Sequence, residues 1–547
     1  MELIYFILIY FLFTFTVIGF GFFFAKNISS FNSYSNIGYI GLYGVFLLTL
    51  ISYLTNLVVK HDFLHNYLIL IFGIYFFFKY ILSIKNLNKS KDLKYLFFFL
   101  IISIISVLYF KSHDDFPYYH LSFINNLTLN KLEFGLGNFD LAFNHVSSLF
   151  FFHSLFRLPF TGDYFYFIGP AVIMTCANII LVKSILEDYK NLTFNLFLKL
   201  FIFIFINVFF YRLAEHGTDR SAIILILLSI SLIFEILDRR NLNNAIFENL
   251  ILLLTLIVSM KSFYAIYGLL FLVIYFKYFT ISQVSYFYKK FKILNISIVF
   301  AFLILLYNVA YTGCLIYPIS FTCFESFYWS MDISRIEWAA SFYELWSKAG
   351  ATPNYRVENP DVYIRGLNWL SVWLDNYFFN KVSDTLIGLF VTVSIFIIIF
   401  KPQISKFKYI KKYNLIFIIL LIYFVEWFFN HPSLRYGGYH LIALLFFVPV
   451  SILLGSQKYS YLKNLKKIQI VLLIGITIFS YRNIDRIINE NKVYNYNPAK
   501  SPLYRLEEKD YYMKRIKKDI FMKTNNCKSK TEEIHNCKIV NSYKFFY

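Results

Sequence analysis

Apolar and polar positions along this chain are segregated into long blocks. Apolar runs recur near 4–25, 36–57, 63–84, 94–110, 164–183, 195–212, 221–237, 246–260, 262–279, 293–311, 384–400, 413–430, 438–455 and 467–481. Many are long enough to cross a hydrocarbon core of ~30 Å as helices. The 246–279 stretch is the least sharply divided, since only Lys261 and Ser262 interrupt it. Period-two alternation is missing, and the runs far exceed the ~10-residue strands of an outer-membrane barrel. The pattern predicts an all-α, polytopic integral membrane protein with about 14 transmembrane helices. The first run, MELIYFILIY, has no basic leader and no small-residue cleavage site, so it reads as a membrane helix.

The breaks between runs set the orientation. Lys85, Lys89, Lys91 and Lys94 fall in one break, and Lys401, Lys406, Lys408, Lys411 and Lys412 in another. Basic residues favour loops on the cytoplasmic side, against anionic lipid. Placing 85–94 there also sends 184–194, 238–245, 280–292, 401–412 and 456–466 to the cytoplasm. The segments 111–163, 213–220, 312–383, 431–437 and everything after 481 then lie outside. The expected organisation is a transmembrane helical domain over 1–481 with extracytoplasmic loops 111–163 and 312–383. A basic tail, 482–547, follows on the same outer side; an error of one span would move it to the cytoplasm.

Composition agrees with this pattern and narrows the function classes. Of 547 residues, 58% are hydrophobic and only 15% are charged, too few to cover a soluble protein of this length. Mean hydropathy is +0.58. The net charge of +20 invites a nucleic-acid reading, but the basic residues collect in the short breaks. Membrane lipids, not nucleic acids, are the partners this distribution implies. Cys314 with Cys323, and Cys527 with Cys537, are close enough in sequence for disulfides, and equally for free thiols. Trp329, Trp338, Trp346, Trp369 and Trp373 all fall in the second outer loop. A helix carrying Trp369 and Trp373 would offer one aromatic face to the headgroup region; the group would also serve to shape a substrate cavity.

Chemistry-bearing residues concentrate in three places on the expected outer face. The first is KSHDDFPYYH, where Asp114 and Asp115 are adjacent, with His113 and His120 nearby. Paired carboxylates at a membrane boundary are costly unless a cation, a proton or a function compensates. Asp115, His120 and His113 are also the set that would hold a divalent metal, although their spacing is loose. Farther along the segment, Gly135 and Gly137 suggest a turn with close backbone approach, and Asn144, His145, Ser147 and Ser148 precede an apolar stretch at 149–160, read as a half-buried interfacial helix. The second place is RLAEHGTDRS, which crowds Arg212, Glu215, His216, Asp219 and Arg220 into a short loop. Either a self-satisfied ion network or a phosphate site fits it. The third is EWFFNHPSLRYGGYH, in which Arg435 either snorkels to the interface or grips a phosphate. Lys261, isolated between two apolar runs, carries the same two readings. No phosphate-binding loop of the GxxxxGK[ST] type is present, so an activated lipid-linked donor fits better than a nucleotide-driven reaction.

The segments DDFPYYH, KLEFGLGNFDLAFNHVSSLFFFHSLF, RLAEHGTDRS, TGCLIYPISFTCF and FFNHPSLRYGGYH are similar to those of an uncharacterised family of bacterial polytopic proteins associated with surface-polysaccharide assembly. The acidic outer loop in a long hydrophobic chain resembles, in turn, the C-type-fold membrane glycosyltransferases that use polyprenyl-phosphate sugars. That resemblance implies a C-type glycosyltransferase-like fold in the bacterial cytoplasmic (inner) membrane. It implies a polyprenyl-phosphate-linked sugar as donor and a glycan or lipid as acceptor. Asp115, with Asp114 as the alternative, would be the catalytic carboxylate. Arg435, Arg220, Lys261, His120, Asp219 and His145 would line the substrate and its phosphate. Some relatives of this fold use a divalent metal and others none, so no cofactor is assigned. A polysaccharide polymerase or ligase, or a transporter of lipid-linked glycan, is the alternative.

Overall fold

The computed structural model describes residues 3–28, 36–86, 90–108, 119–161, 165–190, 192–213, 217–239, 243–352, 355–402, 413–455, 461–495, 497, 499 and 537–547. Helices dominate, as the blocks of apolar sequence require. Among the described residues nine helices are long and apolar enough to cross a membrane, or up to ten if a bent pair counts as one. The expected count of about 14 is therefore too high. Three apolar helices, Phe194–Phe209, Asn244–Met260 and Asn414–Asn430, have only 16 or 17 residues. At 1.5 Å per residue each is about 25 Å long, short of the ~30 Å core. The helix Ser90–Leu108 opens with Lys91, Asp92 and Lys94 and so lacks an unbroken apolar window. The 262–279 stretch is wound as a 3-10 helix over Ser262–Leu269, and the Ser262–Tyr278 and Ile281–Lys290 segments meet at 99°.

The ends of the helices sort into two sets, held by different polar networks. At one end Lys183 pairs with Asp92 at 2.7 Å, and Lys199 reaches Glu235 at 3.0 Å and Asp188 at 3.4 Å. Lys277 donates there to the carbonyls of Ile236, Leu237 and Arg239, and Tyr413 to Asp238. Asp92, Asp188 and Asp238 come from three of the breaks grouped from the sequence, 85–94, 184–194 and 238–245. The other end gathers residues 57–62, 119–161, 210–213, 217–219, 261, 313–352, 355–369 and 431–437.

At that second end the short helix Leu121–Leu129 and the helix Ser148–Ser154 fold back into the protein. The latter was expected to lie half-buried at the interface, yet every one of its residues is buried. A disulfide joins Cys314 and Cys323, Cys537 is also disulfide-bonded, and buried Cys176 is free. The helical stretch Leu370–Phe400 begins well before the 384 expected from hydropathy. Trp369 and Trp373 are both buried and do not face headgroups.

Two small hairpins depart from the all-helical pattern: Ala351–Thr352 with Tyr355–Arg356, and Cys537–Val540 with Tyr543–Phe546. The second docks residues 537–547 onto the segment that holds Phe134 and Gly135. The Phe134 amide donates to the Lys544 carbonyl and the Phe546 amide to the Phe134 carbonyl, each at 2.9 Å. Gly135 makes this possible, because its φ is +72° and a Cβ there would lie 2.0 Å from the Phe546 carbonyl oxygen. Lys544 pairs with the buried Glu133 at 3.1 Å, and Asn126 donates to the same carboxylate at 2.8 Å. Burial pushes the Glu133 pKa up, against the pull of Lys544 and Asn126. Residues 537–547 thus lie on the same face as 119–161.

Replacing Lys544 with Ala leaves Glu133 buried with one donor fewer. We expect a loss of about 1–3 kcal/mol and faster proteolysis near the C-terminus. Thermal unfolding and a limited-digestion time course measure both; unchanged values in both would contradict the docked hairpin.

Candidate functional site

Asp219 lies in the first turn of the helix Gly217–Asp238, where the backbone dipole favours a carboxylate. Its side chain is only 3% exposed, and a carboxylate so far from water needs partners. It has two, both from distant parts of the chain. Lys261 Nζ donates to Oδ1 at 2.5 Å, and Arg435 Nε donates to Oδ2 at 2.9 Å. Lys261 stands where the helix Asn244–Met260 gives way to the 3-10 stretch, and Arg435 sits in the 3-10 turn Leu434–Tyr436.

That turn is pinned from several sides. Trp373 Nε1 donates to the Pro432 carbonyl at 2.9 Å, Trp427 Nε1 to that of Ser433 at 2.8 Å, and Tyr264 Oη to that of Arg435 at 3.0 Å. The Leu434 amide donates to Tyr377 Oη at 2.8 Å. Gly437 completes the turn at φ +122°, a conformation that side-chain-bearing residues rarely adopt. Trp373, expected to face headgroups, therefore helps to hold Arg435 in position.

Aromatic rings wall the two cations. Lys261 Nζ is 4.6 Å from the Tyr436 ring centre, and the Arg435 guanidinium carbon is 5.5 Å from that of Trp346 and 5.8 Å from that of Tyr436. Lys261 and Arg435 remain 21% and 23% exposed while Asp219 is closed off. Two cations therefore converge on one carboxylate with their outer sides partly open. Such a group can take an anion, with the guanidinium fork suited to a phosphate.

The remaining sequence-derived site residues fall around this cluster with different roles. Arg220 donates to the Arg212 carbonyl at 3.0 Å and lies over Phe210. His145 Nε2 meets Tyr343 Oη at 2.9 Å and packs against Tyr317. His120 is buried against Phe150 and Tyr119. Asp114, Asp115 and His113, as well as Glu215 and His216, lie outside the described residues. Tyr119, four positions after Asp115, packs against His145. From there Tyr317 accepts from Ser262 Oγ at 3.4 Å, and Ser148 pairs with Ser259 at 2.8 Å. The segment following the acidic pair therefore shares a face with Lys261, Asp219 and Arg435. Among the described residues no three His, Cys, Asp or Glu side chains gather as a metal-binding group.

His431 is a site residue that the sequence reading passed over. It packs against Phe263 and Tyr436, and its Nδ1 is buried without a hydrogen-bond partner. Burial pushes its pKa down to about 4, with Glu344 pulling upward and Lys348 and Lys261 pushing further down. The only sequence signal was its place in the FFNHPSLRYGG segment beside Arg435.

Several long apolar helices with loops gathered at two ends define a polytopic membrane protein, and the cationic cluster at one end gives it an anion-binding candidate site. The chain belongs to the family described as a domain of unknown function (DUF8201), whose match spans residues 1–442 and so includes Asp219, Lys261 and Arg435. No curated protein and no solved structure matches it.

Two outcomes check the geometry. Asp219→Asn removes the buried charge that Lys261 and Arg435 share, and we expect it to cost about 3 kcal/mol, the lower end for a broken buried pair. The triple variant with Lys261→Met and Arg435→Met should recover part of that loss; if it melts below Asp219→Asn, the charges are not coupled. His431 supplies the pH test. Unfolded, it protonates near 6.5, so between about 6.5 and about 4 only the unfolded chain takes up the proton. Stability should fall as pH drops through that window and be level on either side. His431→Gln should flatten that part of the profile, and an unaltered profile would contradict the burial.

Proposed function

We propose that the protein is a membrane glycosyltransferase that moves a sugar from a polyprenyl-phosphate carrier to a glycan or lipid acceptor. The reaction takes place at the outer face of the bacterial cytoplasmic membrane, in surface polysaccharide or glycolipid assembly. The observation that supports it is the convergence of Asp219, Lys261 and Arg435, with two cations held partly open by one buried carboxylate. A lipid-borne phosphate is the substrate group such a cluster serves, because it can be reached from the membrane end and needs a guanidinium fork.

In this reading Asp115, with Asp114 as its alternative, takes the proton from the acceptor hydroxyl as its oxygen attacks the sugar C1. The bond from C1 to the carrier phosphate breaks with inversion, and the departing phosphate keeps the electron pair. Arg435 and Lys261 stabilise the charge that grows on it. Asp219 is a positioning residue that aims the two cations. His145 and His120 line the approach to the substrate, and Arg220 holds the Arg212 carbonyl. One base suffices, since a phosphate leaves without protonation, unlike the alkoxide released in sugar hydrolysis. A polymerase or ligase acting on diphosphate-linked oligosaccharide is the second reading, favoured to the extent that cations dominate the described cluster.

Transfer from labelled polyprenyl-phosphate sugar in membranes carrying single variants separates these readings. We expect Asp115→Asn to lower the rate by about 10²–10⁴-fold. Arg435→Lys, which keeps charge but loses the fork, should act mainly on the donor step. Full activity in both Asp114→Asn and Asp115→Asn would exclude carboxylate catalysis. Loss confined to the cation variants, with diphosphate-linked donors used instead, would favour the polymerase.

A further inference from the structure

A recess of about 610 Å³ opens at the same end of the molecule, lined by residues to which the reaction above gives no part. Its rim collects cations from three distant places in the chain. Lys60 follows the helix Ile37–Asn56, Lys131 follows the helix Leu121–Leu129, and Lys544 comes from the C-terminal hairpin. Two carboxylates lie among them. Glu133 is buried and takes Lys544, whereas Lys60 stands 4.0 Å from Asp62 with both side chains well exposed. Lys131 donates to Ser542 Oγ at 2.5 Å and lies 3.9 Å from the Tyr543 ring centre, which holds its ammonium at the rim. Among the described lining residues Lys544 is taken up by Glu133, while Lys60 and Lys131 stand at the rim with Asp62 as the one exposed carboxylate.

The opposite wall is apolar and uncovered. Leu64 and Leu68 line the recess and are 72% and 49% exposed. They stand one turn apart on the helix Phe63–Asn86 and begin a stripe that runs on through Ile71, Tyr75, Phe78 and Leu82, all exposed. This helix meets the length and apolarity needed to cross a membrane, so hydrocarbon is the surrounding its stripe calls for. The lysine rim therefore sits where the lipid-facing stripe reaches the membrane surface, at the depth of lipid phosphates.

We propose that this recess binds the headgroup of an anionic phospholipid, its phosphate between Lys60 and Lys131 and an acyl chain along the Leu64–Leu68–Ile71 stripe. A soluble phosphate ester meets the lysines but gains nothing from the stripe. A zwitterionic lipid gains the stripe, but its own cation offsets the attraction of the rim. The preference is thus for a ligand with both features.

The test is binding to the purified full-length protein in detergent, read by thermophoresis, with three probes: dioctanoyl phosphatidylglycerol, dioctanoyl phosphatidylcholine and glycerol phosphate. We expect phosphatidylglycerol to bind about tenfold tighter than either of the others. Lys60→Gln with Lys131→Gln should reduce it to the phosphatidylcholine level, while Lys60→Arg with Lys131→Arg retains it. Equal binding of the two lipids would overturn the proposal, as would unchanged binding by the glutamine variant. Glycerol phosphate binding as tightly as phosphatidylglycerol would remove the acyl-chain part and overturn it too. Should the glutamine variant fail to fold, the comparison of the three probes on the native protein still decides.

Discussion

A carboxylate shut away from water has to be answered by positive charge, and Asp219 is answered twice. Its two oxygens face Lys261 and Arg435, residues separated from it by 42 and 216 positions. The pairing costs desolvation on all three groups, and replacing the set by apolar side chains need not destabilise the fold. Stability is therefore a poor reason for its presence. What it does is hold two cations at one spot with their outer sides partly open, flanked by the rings of Tyr436 and Trp346.

The rest of that end of the molecule is arranged around this demand. Arg435 can reach Asp219 only if the turn Leu434–Tyr436 is held rigidly. Indole and phenol groups of Trp373, Trp427, Tyr264 and Tyr377 satisfy its backbone. Backbone polar groups shut away from water need such partners. One set of aromatic residues thus performs two tasks, covering irregular chain and aiming a guanidinium.

Much of the architecture was legible in the pattern of apolar blocks and lysine-rich breaks. Contacts of Lys183 with Asp92, Lys199 with Asp188 and Tyr413 with Asp238 bring three of those breaks, 85–94, 184–194 and 238–245, to one end. The number of spans did not follow, because hydropathy sees composition and not length against the bilayer or a bend. The stretch after Lys261 is apolar throughout, yet it is wound as a 3-10 helix and then turned through 99°. At the site, Asp219, Lys261 and Arg435 were each visible as charges in poor surroundings. Their mutual pairing was not, since nothing local encodes a contact across 216 positions. His431 was missed because a histidine before proline carries no signal of its burial, and the buried tryptophans were misread because their spacing suits an exposed face equally well.

The central claim is that the Lys261–Arg435 pair recognises a lipid-borne phosphate. The most direct measurement compares the affinity of the purified protein for a polyprenyl phosphate with that for the matching polyprenol, which differs only in the phosphate. The phosphate should bind tighter by about tenfold or more, and that margin should vanish in Lys261→Gln with Arg435→Gln. Equal affinities in the native protein would contradict the claim.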